Sequence, residues 1–335
     1  MAVTANPLKM DVETFHELTG QLRREIGQVI VGQEEIVEEL LVAFFGGGHV
    51  LLEGVPGLGK TLLAKTFAQT LGFEYKRVQF TPDLMPADII GTQVVVERDG
   101  KKEFEFSAGP VFTHILLADE INRTTPKTQS ALLEAMEEKQ VSVAGKTYVL
   151  KEPFFVMATE NPIEMEGVYN LPEAQLDRFF VKLHIPYPKS EELLRIVQQT
   201  TGAETAKVQT VLPKERGAEV VGAMRHLVRE VLVAKPVQEY AVRLVMATHP
   251  NGKALDGYHR YIGYGASPRA AQALLLGAKV HALLSGRVNV SFEDVEKLVF
   301  PALNHRIVLS FEAEADRVGP RQILDSILKE VPRNA

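Results

Sequence analysis

The chain has 335 residues, 45% of them apolar, with 37 basic and 43 acidic side chains, a net charge of −6 and no cysteine. That length suits two domains better than one core. The acidic balance gives no electrostatic reason for nucleic acid or an anionic membrane as partner, and the absent cysteine excludes disulfides and thiolate metal sites and fits a reducing compartment. Met1–Met10 lacks the charged-then-apolar pattern of a secretory signal. The longest apolar run, Leu40–Phe45, stops at Gly46-Gly47-Gly48, too short to span a bilayer. A cytoplasmic location is expected.

In chain order, the first half alternates strand-like and helix-like segments, the pattern of a parallel sheet covered by helices. Strands are predicted over His49–Glu53, Phe73–Phe80, His114–Ala118, Phe154–Ala158 and Phe179–Ile185. The third is almost wholly apolar and so is expected to be buried on both faces. A helix between the third and fourth can be capped by Thr125, with Pro126 in its first turn. Two hairpins interrupt this plan: residues 92–106 around Asp99-Gly100, a strong two-residue turn signal, and residues 141–150 around Gly145. Past Pro186 and Pro188 the character turns helical, with segments Ser190–Thr200, Lys214–Val233, Gln238–Thr248, Ser267–Ser285, Phe292–Ala302 and Arg321–Glu330. Ser267 and Ser291 suit helix caps. The division falls near Lys189: residues 1–189 as an αβα domain, 190–335 as a helical one.

Gly54-Val55-Pro56-Gly57-Leu58-Gly59-Lys60-Thr61 fits the phosphate-binding loop pattern between an apolar strand and a helix, Leu62–Thr70. Only bare backbone curls around a phosphate with its N–H groups aimed inward, and the helix start adds partial positive charge. Lys60 would reach the outer phosphates of ATP or ADP, and Thr61 would hold Mg²⁺. The third strand ends Ala118-Asp119-Glu120. Asp119 can orient Mg²⁺ through water, and Glu120 can polarise the attacking water. Asn161, just past the fourth strand, either senses the γ-phosphate or is a turn residue before Pro162.

Phosphoryl transfer develops charge that an external arginine stabilises. Arg178 precedes the fifth strand and is expected at the carboxyl-end periphery of the sheet, reaching a neighbouring subunit's nucleotide; the alternative is a surface pair with Asp177 or Glu173. Arg269 lies in the first turn of a helix, where a cation opposes the helix dipole and so suggests a nearby anion such as a phosphate. Arg123 is a third candidate. His49, His114 and His184 lack metal-ligand spacing and read as structural.

Taken together, these stretches resemble the MoxR family of AAA+ ATPases over about Phe15–Glu330. The more diagnostic stretches are Thr81-Pro82-Asp83-Leu84-Met85-Pro86 and Asn304-His305-Arg306-Ile307. The resemblance implies an AAA+ P-loop αβα sandwich with a five-stranded parallel sheet of order 5-1-4-3-2, followed by an all-helical lid. It implies that Ile30, Val31 and Gly32 line an adenine pocket, that Gly54, Pro56, Gly57, Leu58, Gly59, Lys60, Thr61, Leu62 and Asp119 bind nucleotide, and that Thr61 and Asp119 hold the metal. Asn161 would be sensor 1, Arg178 the arginine finger and Arg269 sensor 2. Hexameric rings acting as chaperones on protein clients, often von Willebrand A-domain proteins, are implied as well. Glu160 stands where the family more often has Gln, and Gly59 where relatives often have Ala. The leading expectation is a remodelling ATPase whose hairpins move against a client, Phe104 and Phe106 alternating with Glu103 and Glu105. A nucleotide-gated scaffold, a nucleic-acid motor and a small-molecule kinase are the alternatives.

Overall fold

The computed structural model describes residues 10–163, 167–202, 206–250 and 258–334; the reading of residues 1–9 as free of a secretory signal lies outside them. Five parallel strands form the central sheet: β1 (Val50–Glu53), β2 (Tyr75–Gln79), β3 (Ile115–Asp119), β4 (Phe155–Glu160) and β5 (Val181–His184). Their order is β2-β3-β4-β1-β5, with Val50 opposite both Met157 and Val181. Counted from the other edge and without the hairpins, this is 5-1-4-3-2.

Every residue of β3 is buried, because its side chains alternate between two apolar layers. Ile115 and Leu117 join Leu63 and Phe67 of the Lys60–Leu71 helix on one face. Leu116 and Ala118 join Leu132, Leu133 and Met136 of the Pro126–Glu138 helix on the other. Thr125 occupies the cap position of that second helix without a side-chain capping bond; its hydroxyl meets Thr128 Oγ1 at 3.4 Å instead. Ser267 and Ser291 do cap their helices, Pro268–Leu284 and Phe292–Leu303.

The first hairpin pairs Gly91–Arg98 with Lys101–Ala108, turning at Asp99 and Gly100, both with positive φ. The second pairs Gln140–Val143 with Lys146–Val149, and its turn uses Ala144 as well as Gly145. The two touch through Phe106 and Tyr148, whose rings stack with centroids 3.9 Å apart. Phe106 thus packs, while Phe104 remains 75% exposed.

The second half is helical, with a two-stranded antiparallel ribbon (Ile262–Tyr264 and Val308–Leu309) added to the expected helices. Its apolar residues Ala270, Leu274, Val280 and Leu298 belong to the same cluster as Phe15, Leu22 and Leu41, so the lid and the sheet domain share a continuous core. Asn304-His305-Arg306 clamps the outer edge of the sheet. Asn304 donates to the Lys182 carbonyl, His305 Nε2 lies 3.1 Å from the Phe179 carbonyl, and Arg306 donates to the Phe179 and Phe180 carbonyls and to Asp177. Backbone groups around the open edge are thereby satisfied rather than left to recruit another chain. Among the described residues no helix is long and apolar enough to cross a membrane.

Candidate functional site

The Gly54–Thr61 loop leaves the carboxyl end of β1 and enters the Lys60–Leu71 helix. Gly57 and Gly59 have φ of 87° and 81°, a conformation costly for any side-chain-bearing residue, and nothing lies within 4 Å of where a Cβ would sit on either. The helix N-cap, Gly59, offers no side chain to the first N–H groups, so these remain available to an anion. Lys60 is buried, and its ammonium meets the carbonyls of Gly54 and of Glu160, the latter at 3.3 Å. These features fit a phosphate chain.

Beside the loop, Thr61 Oγ1 and Asp119 Oδ2 are 3.5 Å apart, a pair of hard oxygen donors suited to Mg²⁺. Among the described residues no cluster of three His, Cys, Asp or Glu could bind a metal unaided. The pair therefore fits a cation that brings its own waters and phosphate oxygens. Asp119 Oδ1 accepts from Thr159 Oγ1 at 2.6 Å, while Oδ2 accepts from Arg77 Nε and Nη2 at 3.0 and 2.7 Å. Glu120 adopts the left-handed conformation at φ 58°, its N–H donating to Thr159 Oγ1 at 2.8 Å. Such backbone strain in a non-glycine residue is characteristic of functional positions. The Glu120 carboxylate accepts from Gln79 Nε2 at 2.6 Å and Arg123 at 3.0 Å. Arg123 therefore sits on its own chain's acidic pair.

Asn161 is buried just past β4, and its Oδ1 accepts from the Ile163 N–H at 3.2 Å, closing its own turn beside the residue whose carbonyl meets Lys60. The charge at Glu160 is offset locally. Its carboxylate lies 3.4 Å from Lys182, which also pairs with Glu53. Burial pushes the Glu160 carboxyl up, against the pull of Lys182. Glu53, hydrogen-bonded to His184 and Lys182, is held down to about 2 despite burial.

Val31 and Gly32 come near the loop through the next residue, Gln33, which donates to the Leu58 carbonyl at 3.2 Å. Gly32 has φ 73°, and a Cβ there would fall 2.5 Å from the Glu192 carboxyl carbon of the Ser190–Thr201 helix. The segment, the loop and that helix thus converge. Leu62 is half exposed one residue past Thr61.

Arg178 is not at the carboxyl end of the sheet as expected. Because β5 runs parallel to β1, a residue preceding it lies at the amino end, beside Gly48 and His49, on the far side of the sheet from the loop. The four-residue β1 alone separates the two by about 13 Å. Its partner is neither Asp177 nor Glu173 but Glu137, at 3.1 Å. Arg269 ion-pairs with the other oxygen of the same carboxylate, so the anion near its helix start is Glu137. Asp177 is taken by Arg306 and Ser267. This amino-end pocket, of about 290 Å³, brings Arg178, Arg229, Arg269 and Arg306 together with Glu137 and Asp177.

The histidines play the structural part expected. His49 accepts the Val156 N–H at Nδ1 and faces the Met136 carbonyl with Nε2, and burial lowers it to about 4, leaving a neutral ring. Burial also lowers His114, and His184 pairs with Glu53. Sequence reasoning missed Arg77, Gln79, Thr159 and Glu137. The one signal for the first two is that Lys76, Arg77 and Gln79 crowd a five-residue strand, which marks an edge.

Residues 49–181 match the ATPase family associated with various cellular activities (AAA), and residues 258–327 match the AAA lid domain. Chaperone MoxR1 of Mycobacterium tuberculosis is 43% identical over 92% of this chain and 80% of its own length. The chain belongs to the MoxR family of AAA+ ATPases. Protein MoxR of Methylorubrum extorquens is 31% identical over 98% of this chain and 99% of its own. The solved structure of a putative ATPase from Cytophaga hutchinsonii superposes with a TM-score of 0.87 at 41% identity, covering 96% of each chain. MoxR-family membership implies nucleotide binding, usually with Mg²⁺.

Proposed function

We propose that this MoxR-family protein hydrolyses Mg-ATP in a ring of identical subunits, in the cytoplasm, and uses the cycle to remodel a protein client. The observation that carries the reading is the separation of Arg178 and Arg269 from their own chain's loop by the depth of the sheet. Arginines so placed can serve a nucleotide only on a neighbouring copy, and a closed ring with head-to-tail contacts gives every site such a neighbour.

Bound ATP with Mg²⁺ supplies the phosphoryl group and offsets its charge; the residues of the chain do the rest. Lys60 exchanges two carbonyls for phosphate oxygens, and Thr61 and Asp119 anchor the cation. Glu120 orients water and accepts its proton. Asn161, as sensor 1, holds its amide on the same edge. Arg178 and Arg269 of the adjacent copy steady the charge that develops on the transferred group. The first hairpin, which presents the cross-strand pair Val95 and Phe104 to solvent midway along its strands, suits contact with a client, for which the family likeness suggests a von Willebrand A-domain protein.

Mixing K60A and R178A subunits tests this. Each variant alone should be nearly inactive, and the mixture should regain hydrolysis, because some interfaces then join an intact loop to an intact arginine. A mixture no more active than its parts, or R178A hydrolysing at the wild-type rate, would end the trans-acting assignment. A scaffold whose turnover is incidental would instead keep its client activity in Glu120→Gln.

A further inference from the structure

We infer that Arg77 is a built-in counter-cation for the metal-facing oxygen of Asp119, holding the divalent cation off the site until a nucleotide brings it. The inference rests on the reading of Asp119 as a metal anchor and concerns when that anchor is available.

The two Asp119 oxygens have different partners. Oδ1 is fixed by Thr159 at 2.6 Å. Oδ2 is the oxygen turned toward Thr61, and both donors of Arg77 converge on it, at 3.0 and 2.7 Å. A guanidinium that merely oriented a carboxylate could fork across both oxygens. Here Thr159 holds one, so Arg77 occupies the metal side. The carboxylate is nearly buried at 10% exposure, whereas the Arg77 side chain is 46% exposed and can swing into water on its flexible stem at little cost. A cation at Oδ2 must therefore compete with a neighbouring positive charge unless the phosphates of a nucleotide offset the repulsion.

The same guanidinium is linked to the second carboxylate through Gln79. Arg77 Nη2 also donates to Gln79 Oε1 at 2.8 Å. Guanidinium has no acceptor, so Gln79 must turn its oxygen toward Arg77 and its NH₂ elsewhere, and that NH₂ meets Glu120 Oε2 at 2.6 Å. Arg77 and Gln79 stand two residues apart on β2, on one face of the edge strand, and so reach Asp119 and Glu120 together. When Arg77 leaves Asp119, the amide that ties down Glu120 loses the contact that orients it. Metal arrival is thereby relayed to the residue that handles water.

The test is Mn²⁺ binding to the full chain without nucleotide, followed by the paramagnetic signal of the free ion. Arg77→Gln should bind about three- to tenfold more tightly than wild type, as expected for removal of one partly exposed like charge. Arg77→Lys should fall between, since it keeps the charge but not the two-donor geometry, and it serves as the test should Arg77→Gln fail to fold. Unchanged or weaker Mn²⁺ binding in both variants would overturn the inference and leave Arg77 as a simple support for Asp119. Asp119→Asn separates the two layers. If it abolishes binding while the Arg77 variants do not tighten it, only the Arg77 inference falls; if it leaves binding intact, the metal-anchor reading falls.

Discussion

The two ends of one sheet carry arginine–carboxylate contacts of opposite character. At the carboxyl end, Arg77 on Asp119 and Arg123 on Glu120 are 46% and 43% exposed. They satisfy the acidic pair with side chains that can withdraw into water when a ligand arrives. At the amino end, the Arg306 side chain is 3% exposed, bound to Asp177 and to the carbonyls of Ala302, Phe179 and Phe180. It cannot leave without stranding buried acceptors. Arg178 and Arg269, sharing Glu137, lie next to this fixed knot yet remain exposed enough to change partner. One end is built for exchange and the other for permanence, and the proposed trans-acting arginines are mounted on the permanent one. Arg306 ties the lid to the segment that carries Arg178, so the two should move as one body.

This contrast can be broken at either end. Glu120→Gln removes the charge proposed to handle water while keeping the shape. Hydrolysis should fall by about 10²–10⁴-fold, with ATP affinity and the unfolding midpoint retained. A variant that keeps more than a tenth of the wild-type rate, or that unfolds several degrees early, would show that the carboxyl end is not the exchangeable catalytic end. Arg306→Ala should do the reverse. Loss of a buried partner to the Asp177 carboxylate and four carbonyls, those of Asp177, Phe179, Phe180 and Ala302, should cost about 3–5 kcal/mol in chemical denaturation, with nucleotide affinity preserved in the folded fraction. A cost below about 1 kcal/mol would mean that the amino-end knot is solvated and replaceable after all.

How much of this was legible in the sequence depended on distance along the chain. The strand, loop and helix around Gly54–Thr61 were legible because the glycines, lysine and threonine fall within eight consecutive residues flanked by both elements. The place of the acidic pair was legible because it ends a strand too apolar to be anything but central. Arg77 and Gln79 do not, since their partners lie some forty residues on and are brought to them only by the β2–β3 register. Arg178 was legible as a candidate but misplaced. In a parallel strand the residue before the first position lies at the amino end, so a location beside the loop was never open to it. Asn304-His305-Arg306 stood out as a pattern while its task stayed hidden, because its partners, the Asp177 carboxylate apart, are backbone carbonyls, which leave no mark in the sequence. The convergence of Arg178 and Arg269 on Glu137 combines three segments and two domains, and no local pattern encodes it.

A third kind of contact lies between the permanent and the exchangeable: one that pH can remove. His281, buried in the Pro268–Leu284 helix, faces Glu39 at 3.2 Å and Glu38 at 3.4 Å on the Glu34–Gly46 helix, with Arg23 on Glu38 and Lys297 lining the same cavity. Burial alone would lower the imidazole, but its hydrogen bonds and charge pairing with Glu38 and Glu39 outweigh that and raise it to about 9. From the other side, the His281 hydrogen bond is the main cause holding Glu38 down to about 2. Because the folded value for His281 lies above the ordinary 6.5, its contribution is fully present below pH 6.5 and is lost as pH rises through about 9. The expected loss is up to roughly 3 kcal/mol across that window. Urea midpoints at pH 6, 8 and 10 should fall progressively for wild type and much less for His281→Gln, which cannot titrate. Parallel profiles for the two proteins would show that His281 carries no charge at this seam, and that the lid is held there by packing alone.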